Sequence, residues 1–443
     1  NDPATEKTSA PGTGSDPARG LAKAVEMCNN NGHCRKFDAG TMCPSYRVTR
    51  DEKHLTRGRA NTLRLALSGQ LGPDALTSEA LHETMDLCVG CKGCKRDCPT
   101  GVDMARMKVE FTHQYKARHG HTLKDKLVAH LPDYARLASG WAPLLNLRNR
   151  SPFLAWLGEK LLGLSARRSL PAWQRQHFFN KPMRTATRDE VLGAERPVVL
   201  MVDTFNGHFE SDNARAAVKV LQSAGYTVHV AAKADPAQGH LCCGRTYLAG
   251  GMVEMARSKA HEMVQALLPL AAKGIAIVGL EPSCLFTLRD EALTLGLGEV
   301  AHTVSRQALL LEEFLGREAA AGKLEDLKSR LRPATQPILL HGHCHQKAFD
   351  AVRPILDVIR LIPGATPELI ESSCCGMAGT FGYEASHIEV SMQMAELSLL
   401  PAVRNQPDAL IVADGTSCRH QICDGAQREA VHVARLLADH LGR

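Results

Sequence analysis

CVGCKGCKRDCP, residues 88–99, sets four cysteines in the order C-x2-C-x2-C-x3-C-P, and this stretch decides how the rest of the chain is read. Three thiolates two residues apart, Cys88, Cys91 and Cys94, can grip one iron-sulfur cluster, while a cysteine placed before proline, Cys98, reaches across to a second. Gly90 and Gly93 let the loop turn its amides inward, toward cluster sulfurs that accept hydrogen bonds. Zinc, the competing metal, wants two C-x2-C pairs and not a run of four closing on Cys-Pro. A disulfide framework fits less well still: the chain is long, its fifteen cysteines are odd in number, and it shows no signal-peptide pattern, so a reducing compartment is expected.

An earlier run, Cys28, Cys34 and Cys43-Pro44, departs from this spacing. Laid on the same pattern, CNNNGHC matches Cys28 and Cys34 to the outer positions and puts Asn31 in the middle one, and Cys43 follows Cys34 by nine residues. Cross-ligation then predicts one complete set, Cys43 with Cys88, Cys91 and Cys94, and one set short by a ligand, Cys28, Cys34 and Cys98. The second set is open to a three-iron cluster, to a four-iron cluster completed by Asn31, water or another non-thiolate group, or to no stable cluster. The stretch between the runs is rich in helix formers, which predicts a helical two-cluster module. Arg57 and Arg59 either offset cluster charge or form a solvated basic face.

The second half repeats itself. Cys242-Cys243-Gly244 recurs as Cys374-Cys375-Gly376, and Cys284 in EPSC recurs as Cys418 in GTSC, at separations of 132 and 134 residues. Apolar stretches keep the same cadence: PVVLMVDTF, TVHVAA and IAIVGL, then QPILLHGH, PELIESS and ALIVADG. Each precedes a helical pattern, such as SDNARAAVKVLQSAG, with Ser211 as N-cap and Gly225 as stop. Two tandem α/β units are predicted, with their cysteines at strand ends where sites in open sheets lie.

Neighbouring cysteines rarely pair with each other, because the small ring strains the backbone, but both thiolates can address one metal centre. In the second unit Cys344 in HGHCHQK and Cys423, C-x4-C beyond Cys418, join Cys374, Cys375 and Cys418 as candidate ligands of a further iron-sulfur cluster or zinc. Cys423 is equally suited to the core of the following helix. His341, His343 and His345 alternate at a strand end, where supporting or core histidines are expected in preference to direct ligands. Aligning ILLHGHC with LMVDTFN sets Phe205 or Asn206 against Cys344, so the first unit keeps only Cys242, Cys243 and Cys284 and is expected to be degenerate.

The net charge is +6, but residues 116–188 hold 14 Lys and Arg against 3 Asp and Glu, together with all three tryptophans. LVAHLPDYARLASGWAPLLNL and PFLAWLGEKLLGL read as amphipathic pieces broken by Pro132, Pro143 and Pro152. Such a segment either lies on an anionic membrane or an acidic partner, or, as amphipathic connectors more commonly do, packs its apolar stripe on its neighbours with its charges solvated. No apolar run reaches the roughly 20 residues of a membrane span, and no groove-reading or base-stacking module points to nucleic acid.

These motifs carry a resemblance. NGHCRKFDAGTMCPSYRVTRDEKHLTRGRANTLRLALSG, LCVGCKGCKRDCP, DTFN, LCCGRTYLAGG, EPSCLFTLRDE, HGHCHQKA and SSCCGMAGTFGYE resemble the C-terminal, iron-sulfur half of FAD-linked D-2-hydroxyacid dehydrogenases, from about residue 21 onward. More broadly, the CCG repeats resemble the iron-sulfur subunits of glycolate oxidase, anaerobic glycerol-3-phosphate dehydrogenase and heterodisulfide reductase. The resemblance implies a flavoprotein partner holding FAD, with D-2-hydroxyglutarate or D-lactate as substrate class and a quinone or other carrier as acceptor. No glycine-rich dinucleotide fingerprint follows a strand and no nucleophile triad has a recognisable context, so no catalytic residue is assigned. A thiol-cleaving module like that of heterodisulfide reductase, and a zinc-held scaffold, are the alternative readings.

The expected organisation is α+β and α/β. It comprises a Pro/Gly/Ser/Thr linker over 1–20, where a flavin domain would attach, and a helical two-cluster ferredoxin module over 21–115. A basic helical connector over 116–190 follows, then a degenerate CCG repeat over 191–330 and a second repeat over 331–443, in a cytoplasmic protein with room for contact at the inner membrane face.

Overall fold

The computed structural model describes residues 20–442 except 37–39, 182, 234 and 236–238. The linker expected over 1–20 therefore lies, Gly20 aside, outside the described residues. From Leu21 to His119 the regular elements are helical: Leu21–Glu26, Pro44–Thr49, Thr56–Leu67, Glu79–Asp86, Gly93–Asp97 and Met104–His119, with short 3-10 turns between them. Local chemistry starts several of these helices. Ser78 Oγ accepts the N–H of Leu81 and Asp103 Oδ1 that of Arg106, satisfying amides that lack a partner in the first turn. Their apolar faces meet around Leu21, Val25, Leu63, Met85 and Phe111, in one core that also takes up Cys28, Cys34, Cys43 and Cys94.

Two four-stranded parallel sheets follow. In the first, β1 (Pro197–Met201), β2 (Thr227–Val230), β3 (Ala276–Gly279) and β4 (Ala308–Leu310) lie in the order β2-β1-β3-β4. In the second, β5 (Ile338–Leu340), β6 (Pro367–Leu369), β7 (Leu410–Val412) and β8 (Ala430–Val431) lie in the order β6-β5-β7-β8. Chain direction across each sheet reverses at its middle pair, and the crevice beyond the carboxyl ends of that pair is where open α/β sheets place their sites.

Alternation along each strand divides the side chains between two cores. Val198 and Leu200 of β1, with Ile338 and Leu340 of β5, enter a core common to both repeats, built with helices Ser211–Ser223, Leu311–Ala320, Arg353–Ile359 and Val433–His440. Val199 and Met201 face a core built mainly from the first repeat, which Phe349 and Ala351 of the second also enter, and Leu339 and Ile411 one of the second repeat on which Leu164 and Leu170 pack. Both faces are covered, which is why these strands read as unbroken apolar runs. Truncating Leu200 or Leu340, both fully buried, to alanine would cost about 2–5 kcal/mol.

The connector packs on its neighbours only in part: Phe178 enters the common core and Leu164 and Leu170 pack on the second repeat. Helices Leu131–Gly140, Ala142–Leu145 and Pro152–Leu162 turn small residues inward, Ala135, Ala138, Ala142 and Ala155, while bulky apolar side chains including Trp141, Phe153 and Trp156 stand exposed.

Candidate metal centres

The loop Cys88–Cys98 faces the Cys43-Pro44 turn across a recess of about 320 Å³ lined by Cys43, Cys88, Cys91 and Cys94, with Arg59, Thr56 and Met104 around them. Cys43 takes a left-handed backbone, φ 53°, immediately before Pro44 opens its helix. Its Sγ accepts from the amide of Thr56 at 3.0 Å and lies 3.0 Å from the Thr56 hydroxyl, while Cys94 Sγ accepts from the amide of Met104 at 3.3 Å. Donors aimed at sulfur are what a thiolate-held cluster requires. Burial pushes the Cys43 thiol up to about 11 and holds Cys91 and Cys94 high as well, so these sulfurs need a cation between them to ionise. Arg59 is 2 % exposed and locked by the carbonyls of Thr84 and His54 and by Ser45 Oγ, which puts its charge on the recess wall. Donor set, cation and recess together fit a cluster.

Cys28 and Cys34 are buried nearby and Cys98 is half-buried on the same core. Burial pushes the Cys34 thiol up, against the Arg57 amide that donates to it. Asn31, by contrast, is exposed, and both ends of its amide are used inside the loop: Nδ2 donates to Asn29 Oδ1 at 2.6 Å, and Oδ1 accepts from the His33 amide at 2.8 Å.

In the second repeat Cys344, Cys374, Cys375 and Cys418 are all buried, at the carboxyl ends of β5, β6 and β7. Hydrogen bonding from Cys374 holds the Cys344 thiol down to about 7, and hydrogen bonds from Cys374 and Cys418 hold Cys375 well below the ordinary thiol range. His341, Cys375 and Cys418 offer ligand atoms within 4.8 Å of one another. Nδ1 of His341 lies 2.9 Å from Ser372 Oγ, and its Nε2 is buried without a hydrogen-bond partner. Burial lowers the His341 pKa to about 4, so the ring is neutral and its lone pair available, as a metal ligand needs. Lys347 donates to Ser372 Oγ and to the Ser373 carbonyl, both at 3.0 Å, supporting His341 from behind. His341 thus stands where a ligand could, beside the supporting role its sequence position suggests. Cys423 is exposed, and the structure does not bring it to the other thiols.

The first repeat shows why it is poorer. The amide of Ala231 donates to the Leu200 carbonyl just as that of Ile370 donates to Leu340, and the next helices start at Thr204 and Cys344, capped by Asp203 and His343. This register sets Thr204, not Phe205 or Asn206, against Cys344, and sets Met201 against His341. A recess of about 300 Å³ remains, lined by Met201, Asp203, Thr204, Cys242, Cys243 and Cys284. It lacks the nitrogen and one of the thiols.

The two kinds of site meet. Cys91 packs with Cys344 and Cys374 in one buried group beside Val89, and His345 Nε2 lies 3.2 Å from the Gly90 carbonyl. Between Cys91 and Cys94, Lys92 adopts φ 58° and is 1 % exposed, paired with Asp290 and with Glu291 at 2.7 Å. Lys95 and Arg106 also bind Asp290, and Arg245 binds Glu291 at 2.5 Å. Burial alone would raise the Asp290 pKa, but its three cations hold it far below the usual carboxylate range. The first repeat therefore grips the cysteine loop, and the second presents its thiols to it.

Residues 24–102 match the family model of a 4Fe-4S dicluster domain, and residues 205–289 and 338–423 each match that of a cysteine-rich domain. The chain is 27% identical to the D-2-hydroxyglutarate dehydrogenase of Escherichia coli K12, over 89% of its own length and 41% of that protein's. It is 26% identical to a subunit of the anaerobic glycerol-3-phosphate dehydrogenase of Escherichia coli K12, over 84% of this chain and 92% of the relative. To the probable glycolate oxidase iron-sulfur subunit of Bacillus subtilis it is 25% identical, over 90% and 91%. The chain spans about two fifths of the length of the curated D-2-hydroxyglutarate dehydrogenases it matches.

Proposed function

We propose, from the premise that this chain joins a 4Fe-4S dicluster domain to two cysteine-rich domains, that it is the electron-transfer part of a flavin-linked oxidoreductase. The D-2-hydroxyacid class, D-2-hydroxyglutarate or D-lactate, is the substrate class we favour. Oxidising a 2-hydroxyacid to its 2-oxoacid releases two electrons and two protons, which are taken up together by a flavin on the partner flavoprotein. An iron-sulfur cluster accepts and releases one electron at a time. In this chain Cys43, Cys88, Cys91 and Cys94 would hold one cluster, and Cys28, Cys34 and Cys98 three corners of a second. Cys344, Cys374, Cys375 and Cys418 with His341 would hold a further metal centre. Thr56, Met104 and the loop amides orient the sulfurs, Arg59 balances their charge, and the helical cores keep water from them. A quinone or other oxidised carrier takes the electrons onward, and the reduced thiols fit a cytoplasmic setting.

One observation supports this reading above the rest: the packing of Cys91 against Cys344 and Cys374, ligand candidates of two separate sites in one buried group. The mixed nitrogen and sulfur set of His341, Cys375 and Cys418 also suits zinc, so metal analysis of anaerobic protein belongs to the test. Mixed with its reduced flavoprotein partner, the chain should show broad visible absorbance that bleaches. Cys91→Ser should abolish passage of electrons to the acceptor while the partner's flavin is still reduced by substrate. Unchanged turnover in that variant, or protein carrying zinc and no iron, would end the proposal.

A further inference from the structure

Arg168 carries its charge into the protein and finds little there to meet it. The chain from Gly163 to Leu170 is strapped to the second repeat: the Ser165 amide donates to the Tyr383 carbonyl at 2.7 Å, and the Ala385 amide to that of Gly163 at 2.8 Å. Arg148 ties the strap from its other side, donating to the carbonyls of Ser165 and Arg168 at 2.6 and 2.5 Å. These bonds pin the backbone without the Arg168 side chain, which is buried. Its guanidinium donates to the thioether sulfurs of Met377 and Met392, both at 2.9 Å, and to Gln421 Oε1 at 2.5 Å. Thioethers are weak acceptors. Its ion-pair partner among the described residues, Asp424, stands 3.7 Å from Nε and is itself partly exposed. Burial pulls the Arg168 pKa down, while charge on Asp424, Tyr383 and Cys375 opposes the fall. A buried cation so poorly answered is costly unless an anion belongs beside it.

Position identifies the anion. Met377 directly follows the Cys374-Cys375-Gly376 turn, and Gln421 stands one helical turn beyond Cys418 on the helix Thr416–Ala426. The groups that hold the guanidinium are therefore chain neighbours of the thiols of this site. The first repeat makes the same arrangement differently. There Arg245 occupies the place of Met377, directly after Cys242-Cys243-Gly244, and Glu291 binds it at 2.5 Å. The second repeat has an uncharged residue at that place, and the connector brings Arg168 to it from outside. A cation at this corner is thus common to both repeats, and only in the first does a carboxylate bond to it directly. Thiolates gathered on a metal form a negative centre, whose retention and potential respond to a charge nearby when water is excluded.

We propose that Arg168 is the counter-charge of the metal centre in the second repeat, tightening its hold on the metal and favouring its more negative, reduced state; the inference rests on that repeat holding a metal. Arg168→Gln, checked for a wild-type far-ultraviolet spectrum, should surrender this metal to a chelator at least about tenfold more readily, and Arg168→Lys should recover most of the difference. Removing the opposing carboxylate reverses the sign. Asp424→Asn should hold the metal more tightly than the wild type, and this variant decides by its sign even where Arg168→Gln does not fold. Where the metal is redox-active, its midpoint potential should fall in Arg168→Gln and rise in Asp424→Asn. A part in folding alone would loosen the metal in both. Retention reads iron and zinc alike, and Cys418→Ser, stripped of this metal, supplies the baseline. A wild type with no more metal than Cys418→Ser removes the centre itself. With the metal present, this inference alone is overturned by an Arg168→Gln protein that matches the wild type, by glutamine and lysine variants equally impaired, or by an Asp424→Asn protein that does not hold the metal more tightly.

Discussion

Cys418 and Cys423 stand five residues apart on the helix Thr416–Ala426, yet one is buried beside Cys375 and the other faces water. Five residues is about 500° of helical turn, so two thiols at that spacing cannot both point into one crevice. Cys418→Ser should therefore remove the metal of the second repeat, and Cys423→Ser should leave metal content and reduction behaviour at the wild-type level; equal loss in both would refute the assignment. His341→Ala should weaken that metal at least about tenfold, measured by competition with a chelator. The thiols were legible in the sequence because cysteine spacing is itself the chemistry. The placement of His341 was not, because spacing alone does not say where the strand lets go. The strand stops at Leu340, and the chain then turns so that His341 meets the thiols while His343 caps the next helix, its Nδ1 accepting from the His345 amide. The same turn misled the alignment of the repeats by one or two residues, since side-chain identity said nothing of where each strand lets go.

Each CCG element depends on a glycine whose backbone other residues cannot adopt cheaply. Gly244 and Gly376 have φ of 86° and 84°, and their amides donate to Cys242 and Cys374 Sγ, each at 3.4 Å. A Cβ on Gly376 would stand 2.4 Å from the Ser391 carbonyl oxygen. Gly376→Ala should thus strain the loop and displace the adjacent thiols, destabilising the chain by roughly 1–3 kcal/mol or more in chemical denaturation and depleting the second repeat of metal. An alanine variant with full metal and unaltered midpoint would show that the loop is adaptable. The parallel α/β units were readable from the cadence of apolar strands, as the helical dicluster module was from its helix formers. The burial of the connector was not, because hydrophobic spacing gives a stripe without saying which side of it the protein occupies.

At the scale of the molecule, the two cysteine-rich systems are held in register by polar contacts that composition could not reveal. His387 Nε2 meets Asp86 at 2.7 Å, joining the second repeat to the helix that leads into Cys88. Burial alone would lower the His387 pKa; hydrogen bonds and charge from Asp86 and Glu384 override it and push it up to about 9. A histidine whose folded pKa is raised contributes stability fully present below its unfolded value, roughly 6.5, and lost as pH rises through the folded one. The wild type should lose on the order of 1–3 kcal/mol of stability between about pH 6.5 and pH 9.5 from this contact. Asp86→Asn should flatten that part of the profile in denaturant titrations, and a variant with the wild-type slope would remove His387 from the account.

Because Lys92 is buried between Asp290 and Glu291 while its neighbour Cys91 already packs with Cys344 and Cys374, the two halves of the electron path proposed above would never have to find each other by diffusion. Carriers that meet and part slow down in thick solvent; a path fixed within one polypeptide does not. Internal electron passage in this protein should accordingly be indifferent to added glycerol or sucrose in flash-reduction experiments, and any viscosity dependence of overall turnover should belong to the partners that load and unload it.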